Sequence, residues 1–350
     1  MRACLTAILA LAVAAPAMGN DTMAQLGTGG LVFVTNEQIS MASEDLYISP
    51  TEVRVTYEFN NTSNEAQSIL VAFPMPDIAG SGDFMVDVPI QHAEDEDVPP
   101  IKDPENLFGF ATSFNGAPVD AELHQYAFSN NIDYSSLLRD MGVPLVPFGQ
   151  LTADALGDVS DADAQRLLSL GLVFEMEFDA GNGWQTELVP LWTLRSTYSW
   201  EATFPPGMSD VVHTYRPSVG GTVATTFMPT GEAEQDARYA EYVDKYCVDD
   251  SLVTALGKRE IKSDGYTNYP YVENWISYIW STGNNWMGPI GKFTLTIDKG
   301  ETDSLVSFCS EGVKKTGPTT FQMTATDWYP PYEQELEILL LNKVDWYDEQ

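Results

Sequence analysis

The chain has 350 residues and a formal net charge of −34, from 17 basic and 51 acidic side chains. A surface this acidic repels nucleic acid and anionic lipid, which excludes a nucleic-acid-binding protein. The 44% of hydrophobic residues is ordinary for a globular protein and leaves room for a large core. Two interpretations of the charge stay open: carboxylates that keep the protein hydrated in salt, or carboxylates that bind cations or a partner. The scatter of the acidic residues along the chain favours the first.

The first nineteen residues have the features of a secretory signal peptide. The positive start MR precedes the apolar stretch LTAILALAVAA, and AMG places small residues at the cleavage position. Cys4 lies inside the apolar stretch and is removed with it. The stretch is too short for a stable membrane span, and no later apolar run is long enough either. We therefore expect cleavage after Gly19 and a mature chain without a transmembrane segment, located in the periplasm or secreted.

Strands dominate the chain from residue 31 onward. In EVRVTYEF, Val53, Val55, Tyr57 and Phe59 alternate with polar residues, which is the pattern of a strand with one buried face. SILVAFP predicts a second, buried strand that ends at prolines, which cannot donate to a sheet. These segments predict an N-terminal β-sandwich-like region over residues 20–120.

The middle of the chain changes character. Residues 90–106 are acidic and contain prolines, which predicts an exposed loop. NIDYSSLLRDMG and DVSDADAQRLLSLG each predict a short helix closed by a glycine, and Ser160 fits the N-cap of the second. We therefore predict a helical insertion over residues 121–171.

Residues 172–350 predict a C-terminal region that is again rich in strands. LVFEMEF and WQTELVP, joined by AGNG, predict a hairpin. TYSWEATF and the segments around Phe293, Phe321 and Ile338 alternate in the same way, while helices are predicted at about 232–259. The fold class is therefore predicted to be mainly β, an antiparallel β-sandwich-like architecture with short helical insertions.

Two cysteines, Cys247 and Cys309, follow the predicted cleavage site. In an oxidising compartment such a pair most often forms one disulfide. The alternative is a nucleophilic or metal-binding thiol, but neither cysteine has a histidine nearby in the sequence.

No catalytic constellation emerges from the sequence, so no catalytic residue is predicted. The motifs of α/β-hydrolases and zinc peptidases do not occur. The histidines His92, His124 and His213 show no pair at the spacing of zinc ligands. The acidic run after His92 lacks the alternating ligands and central glycine of a calcium loop. No cofactor is predicted, although the acidic stretches leave calcium open.

The stretch STGNNWMGPIG, residues 281–291, joins two predicted strands, WISYIW and KFTLTID. Its asparagines, glycines and proline are typical of turns, which favours a structural connector. Because loops on rigid scaffolds often carry function, a ligand or partner site is the alternative. As a structural connector, it would use Trp286 as its anchor against the sheets.

Eight stretches occur in order over nearly the whole mature chain: LGTGGLVF, EDLYISPTEVRVTYEFNNTS, VAFPMPDI, DPENLFGFATSFNG, YSWEATFPPG, VVHTYRP, YCVDD and GNNWMGPIGKFTLTID. Together they resemble a bacterial family known as domain of unknown function 4424. The resemblance implies an exported bacterial protein and implies no particular activity. It also adds weight to a specific role for FPMPDI, VVHTYRP and GNNWMGPIG. The candidate binding residues are accordingly Asp77, His213, Tyr215, Asn285 and Trp286.

These observations favour an exported, non-enzymatic binding or envelope-support protein, whose partner is an envelope protein or a small ligand. A metal-dependent hydrolase that uses His213 with nearby carboxylates is the alternative. A calcium-stabilised surface protein is a third hypothesis.

If the acidity serves solubility in salt, the melting temperature of the mature protein should climb gradually with sodium chloride. The physical reason is that dissolved ions screen the mutual repulsion of the carboxylates. Thermal denaturation across a salt series checks this, with calcium added to parallel samples. A melting temperature that responds only to stoichiometric divalent ions would contradict the prediction.

Overall fold

The computed structural model describes residues 20–27, 30–80, 85–87, 106–179, 181, 183–263, 266–332 and 335–344. The predicted signal peptide, residues 1–19, and nearly all of the predicted acidic loop, residues 90–106, lie outside the described residues. Within the described ranges the chain is mainly β, as predicted. Each helix found there is too short or too polar to cross a membrane.

The strands and helices are numbered in chain order. The strands are β1 (Thr22–Gly27), β2 (Gly30–Val34), β3 (Ile39–Ile48), β4 (Val53–Asn61), β5 (Gln67–Pro74), β6 (Ile78–Ala79), β7 (Met85–Asp87), β8 (Ala111–Phe114), β9 (Ala117–Val119), β10 (Glu122–Ser129), β11 (Ile132–Asp133), β12 (Val173–Asp179), β13 (Trp184–Pro190), β14 (Thr193–Phe204), β15 (Gly207–Tyr215), β16 (Val219–Thr222), β17 (Ile261–Ser263), β18 (Tyr266–Asn268), β19 (Tyr271–Tyr278), β20 (Ile290–Asp298), β21 (Leu305–Phe308), β22 (Lys314–Lys315), β23 (Thr320–Trp328) and β24 (Leu336–Lys343). The helices are α1 (Ser135–Asp140), α2 (Gln150–Gly157), α3 (Asp161–Ser169), α4 (Ala233–Tyr246) and α5 (Asp250–Gly257), with a 3₁₀ turn at Ser281–Asn285.

Three sheets organise the described part of the chain. The seven-stranded sheet has the order β11-β10-β14-β5-β1-β2, with β6 beside β14. The eight-stranded sheet has the order β22-β23-β20-β3-β4-β15-β8-β9, and the five-stranded sheet has the order β21-β24-β19-β16-β7. Hairpins β12-β13 and β17-β18 stand apart. Among the described strand pairs, β3 and β20 are the ones that run parallel.

The seven- and eight-stranded sheets enclose the main core. Along β4, Val53, Val55, Tyr57 and Phe59 are buried, and the residues between them are exposed or half-buried, as the sequence predicted. Burying each such side chain contributes about 1.5–3 kcal/mol, so the period-two pattern fixes which face of the strand points inward. The core therefore follows directly from the alternation in the sequence.

The five-stranded sheet is buried on both faces, which explains the unbroken apolar run LEILLL. Leu336, Ile338 and Leu340 of β24 belong to the main core. Leu339 and Leu341 point the other way, into a second core closed by α4 and α5. This sheet is thus a middle layer, and its outer face is the floor on which α4 lies.

Several elements differ from the sequence prediction. Residues 121–171, predicted as a helical insertion, begin with strand β10, which pairs with β14 in the seven-stranded sheet. The β10 sequence ELHQYAFS mixes polar and apolar residues without a clear period, so its alternation is weak. Helices α1 and α3 form where predicted, and the Ser160 hydroxyl caps α3 by accepting from Asp163 N. The predicted strand WISYIW begins earlier and ends at Tyr278.

Strands from distant parts of the sequence meet in one sheet. β3, from the predicted N-terminal region, pairs along its length with β20, from the predicted C-terminal region. In the seven-stranded sheet, β14 lies between β10 and β5, so that sheet also combines segments from separate parts of the chain.

Cys247 and Cys309 lie at disulfide distance, as predicted, with their Cα atoms 5.0 Å apart and a sequence separation of 62. Cys247 ends α4 in a left-handed conformation with φ of 54°, and Cys309 follows β21 directly. The bond therefore joins the end of α4 to the edge of the five-stranded sheet.

The mature protein is expected to contain no free thiol. Closing a loop of this length stabilises the fold by roughly 4 kcal/mol in the chain-entropy model. We expect the double variant Cys247→Ser, Cys309→Ser to lose an amount of that order in chemical denaturation. Thiol titration of the denatured, unreduced protein checks the bond itself, and finding two thiols would show that it does not form.

Candidate functional site

The structure separates the five predicted site residues into two places. His213, Asn285 and Trp286 contact residues 20–22, and Tyr215 follows His213 on β15. Asp77 lies elsewhere, on the wall of a surface groove. The two places differ in burial and are described in turn.

The buried place is centred on a hydrogen-bonded pair. His213 Nε2 lies 2.9 Å from Asp21 Oδ1, and both side chains have no exposed surface. Burial raises the pKa of Asp21, while the His213 imidazole lowers it in part. Because a buried polar group without a partner is costly, this contact holds both side chains in place.

Aromatic rings surround His213. The ring centroids closest to its imidazole are 5.0–5.7 Å away and belong to four side chains: Tyr57, Phe73, Phe110 and Trp200. Tyr215 is buried beside Phe73, with ring centroids 5.7 Å apart, and burial raises its pKa. Enclosed in this way, His213 has no path to solvent and is placed to hold the fold together.

Trp286 is the anchor of the connector between β19 and β20. Its ring is 3% exposed and packs on Phe59 with centroids 4.5 Å apart. Its Nε1 donates a 2.6 Å hydrogen bond to the main-chain oxygen of Asp21. The tryptophan thus fills the core and also fixes the start of β1.

The rest of the connector contacts the same short segment. The Thr282 hydroxyl donates to the main-chain oxygen of Asn20 at 2.6 Å and accepts from its main-chain nitrogen. Asn285 Nδ2 donates to Thr22 Oγ1 at 2.9 Å. At Gly283, a Cβ atom would lie 3.0 Å from Asn20 Nδ2, so the glycine permits this approach. The motif GNNWMGPIG therefore builds a receptor for residues 20–22.

Glu44 completes the buried place and was not predicted from the sequence. It is 1% exposed, and its Oε2 accepts from Asn20 Nδ2 at 3.1 Å. Burial raises the pKa of Glu44 to about 8, against a lowering by the contact with Asn20. A register shift in β3 between Met41 and Ser43 changes which residues point inward. The sequence does contain a signal for the burial of Glu44, because it shares one face of β3 with Leu46 and Ile48.

The second place is a groove between α4 and the outer face of the five-stranded sheet. Two adjoining cavities, of about 460 and 350 Å³, share Lys245, Tyr246 and Trp275. Arg238 lies in the first cavity, and Asp77 lies in the second. The groove therefore brings side chains of both charges around aromatic rings.

A close approach of two strands holds the Trp275 ring against the sheet. Gly220 of β16 lies opposite Trp275 of β19, and a Cβ at Gly220 would lie 3.0 Å from the indole Cε3. Any larger residue would therefore displace the ring. The glycine makes Trp275 a fixed apolar surface inside the groove.

The charged side chains of the groove have protein partners. Lys245 Nζ lies 3.8 Å from Glu337 Oε2, and the Lys245 side chain is 43% exposed. Asp77 receives two hydrogen bonds from Arg195, at 2.9 and 3.2 Å. The long, exposed contact of Lys245 contributes little to stability, so this lysine can turn to a ligand at small cost, whereas Asp77 is held by a bidentate contact.

A buried carboxylate fastens α4 beside the groove. Glu273 is fully buried, and its Oε2 accepts from the Tyr242 hydroxyl at 2.6 Å. The Thr226 main-chain nitrogen donates to the other oxygen of Glu273. Burial raises the pKa of Glu273, and these contacts lower it in part. The helix is thereby fixed relative to the sheet that forms the groove floor.

The described residues offer no preformed metal-binding site. They contain no group of three or more His, Cys, Asp or Glu side chains placed to hold an ion. His124 hydrogen-bonds Ser199 at 2.9 Å in the seven-stranded sheet. His92 and the acidic run after it lie outside the described residues.

Comparisons with known proteins give one family match. The model of a domain of unknown function, DUF4424, matches residues 19–339. Among solved structures, a candidate nutrient binding protein from Legionella pneumophila is 14% identical, with a TM-score of 0.44 over 93% of this chain and 71% of that one. This likeness is too distant to transfer a ligand. No curated protein matches the chain.

Replacing Trp286 with alanine should lower the free energy of unfolding by about 3–5 kcal/mol, because it empties a packed site in the core. The matched control is Trp184→Ala, since Trp184 is 77% exposed and its removal should cost little. Urea denaturation of both variants beside the wild type checks the contrast. Equal stability of the two variants would show that Trp286 is not an anchor.

Proposed function

We propose that this chain, which belongs to the DUF4424 family, is an exported, non-enzymatic binding protein for a small zwitterionic ligand. The observation that carries the proposal is the groove between α4 and the five-stranded sheet. It combines a fixed tryptophan surface with exposed groups of both charges, and sites for small ligands typically have this composition.

The distribution of titratable groups supports binding rather than catalysis. The buried pair of Asp21 and His213 has no exposed surface, so a substrate has no access to it. In the groove, Arg238, Lys245 and Asp77 are exposed, and Glu337 is half-buried. Such groups orient a ligand through hydrogen bonds and ion pairs without reacting with it.

Charge placement in the groove indicates the ligand class. Arg238 and Lys245 of α4 line the first cavity together with Glu241, and the two basic side chains suit a carboxylate group. Asp77 and Glu337 lie in the adjoining cavity and suit an ammonium group. The Trp275 ring lies in both cavities and suits the apolar body of the ligand. Free amino acids and short peptides carry these three features together.

Export to the periplasm or the extracellular space is the second part of the proposal. It is supported by the secretory features of the first nineteen residues and by the placement of Cys247 and Cys309 at disulfide distance. An exported protein with such a groove would bind amino acids or peptides outside the cytoplasm.

The metal-dependent hydrolase that uses His213 stays the alternative function. Such an enzyme needs an open coordination position that substrate can reach. The burial of His213 among aromatic rings weighs against it. Metal analysis of the purified protein separates the two functions, because stoichiometric zinc or manganese would favour the hydrolase.

Titration with L-amino acids and dipeptides, first pooled and then singly, tests the groove. We expect a member of this set to raise the melting temperature, because a ligand that binds only the folded state stabilises it. Lys245→Ala should weaken calorimetric binding roughly tenfold or more, because it removes a charge-assisted hydrogen bond.

Lys258→Ala is the matched control for this experiment. It removes the same charge from an exposed position just after α5, outside the groove. It should leave the affinity unchanged. Absence of binding across the set, or equal affinity in the Lys245→Ala and wild-type proteins, would overturn the proposal.

A further inference from the structure

Residues 20–22 are polar and yet fully buried. All four polar groups of Asn20 have partners: its main-chain nitrogen and oxygen contact the Thr282 hydroxyl, its Oδ1 accepts from the Tyr57 hydroxyl, and its Nδ2 donates to Glu44. These partners come from widely separated parts of the chain. The fold thus surrounds this residue as a binding site surrounds a ligand.

Acidic groups outnumber basic groups in this buried cluster. Asp21 and Glu44 supply two carboxyl groups, and His213 supplies one basic group. Asp21 Oδ2, Glu44 Oε1 and His213 Nδ1 are buried and have no hydrogen-bond partner among the described residues. Buried charges are ordinarily paired, so both carboxyl groups can ionise only if a further positive group with hydrogen-bond donors joins the cluster.

We propose that this cluster is the receptor for the mature N-terminus. A signal peptidase hydrolyses the Gly19–Asn20 peptide bond: water adds its hydroxyl to the Gly19 carbonyl carbon and a proton to the Asn20 nitrogen. The released amine takes up a further proton and becomes an ammonium group. That ammonium group remains inside the cluster and forms an ion pair with Glu44.

The position of Asn20 supports this assignment. Its main-chain nitrogen contacts Thr282, and its side-chain amide contacts Glu44. The new positive charge therefore forms on the same residue that already contacts the Glu44 carboxyl group. A peptide nitrogen has one donor, whereas an ammonium group has three. An ammonium group at this nitrogen would thus bring two further donors to a cluster that holds two carboxyl oxygens without a hydrogen-bond partner.

Cleavage also changes the state of Glu44. While residue 20 remains in a peptide bond, burial raises the pKa of Glu44 to about 8, which keeps the carboxyl group neutral at pH 7. An adjacent ammonium group favours the ionised form. Removal of the signal peptide thus converts an uncharged contact into a buried ion pair, and the mature chain is more stable than its precursor.

The inference rests on the proposed export and not on the groove. Its test uses two forms of the chain, made by cleaving an N-terminal fusion. One begins at Asn20, and the other retains Met18 and Gly19 in front of it. Each is prepared with the native Glu44 and with Glu44→Gln, which gives four proteins whose melting temperatures are compared.

With Glu44 present, the two extra residues should lower the melting temperature by roughly 5 °C or more. In the Glu44→Gln background the same extension should lower it much less, because the ion pair is already gone. An equal loss in both backgrounds would show that the extension acts by its bulk, and would overturn the proposal.

Chemical labelling gives a second readout. An amine-acylating reagent near neutral pH should label the Asn20 amine in the urea-unfolded chain and leave it unlabelled in the folded chain, while surface lysines react in both. Ready labelling of the folded chain would also overturn the proposal. N-terminal sequencing of the exported protein should give Asn20 as the first residue. Any other first residue would overturn this proposal, and ligand binding in the groove would be unaffected.

Discussion

The buried contact between Asp21 and His213 is the constraint on which the architecture depends. Asp21 directly precedes β1 of the seven-stranded sheet, and His213 lies on β15 of the eight-stranded sheet. A buried polar group is tolerated only beside a partner, and these two side chains, one beside each sheet, lie 2.9 Å apart. Apolar side chains set how much surface is buried, whereas this pair sets where the two layers meet.

The stretches singled out by family resemblance divide between two tasks. GNNWMGPIG and VVHTYRP supply the walls and centre of the buried receptor, through Trp286 and His213. FPMPDI supplies Asp77 to the surface groove. The receptor is enclosed and polar, while the groove is open to solvent. Under the proposed function, stability and recognition belong to separate parts of one molecule.

Sequence patterns predicted local secondary structure well, but they did not predict which residues distant in sequence are in contact. Alternation identified β4 and β20, an apolar run ended by prolines identified β5, and the Ser160 cap identified α3, because these signals lie within a few neighbouring residues. Asp21 and His213 are 192 residues apart, and nothing local in either segment encodes their contact. Glu44 was missed because a bulge between Met41 and Ser43 breaks the alternation along β3, so the two halves of the strand indicate different inward faces. The groove was missed because its walls come from α4, β16 and β19, which only the folded sheet brings together.

The parallel pairing of β3 with β20 governs the order in which the chain can fold. Lys292 lies opposite Ser43, so this ladder of the eight-stranded sheet joins segments 249 residues apart in a chain of 350. Contacts this distant in sequence form slowly, because a very long loop must close before they can stabilise anything. A chain that emerges from its N-terminus first therefore keeps one edge of β3 open until β20 has appeared. Until then, that edge must be shielded from pairing with other chains.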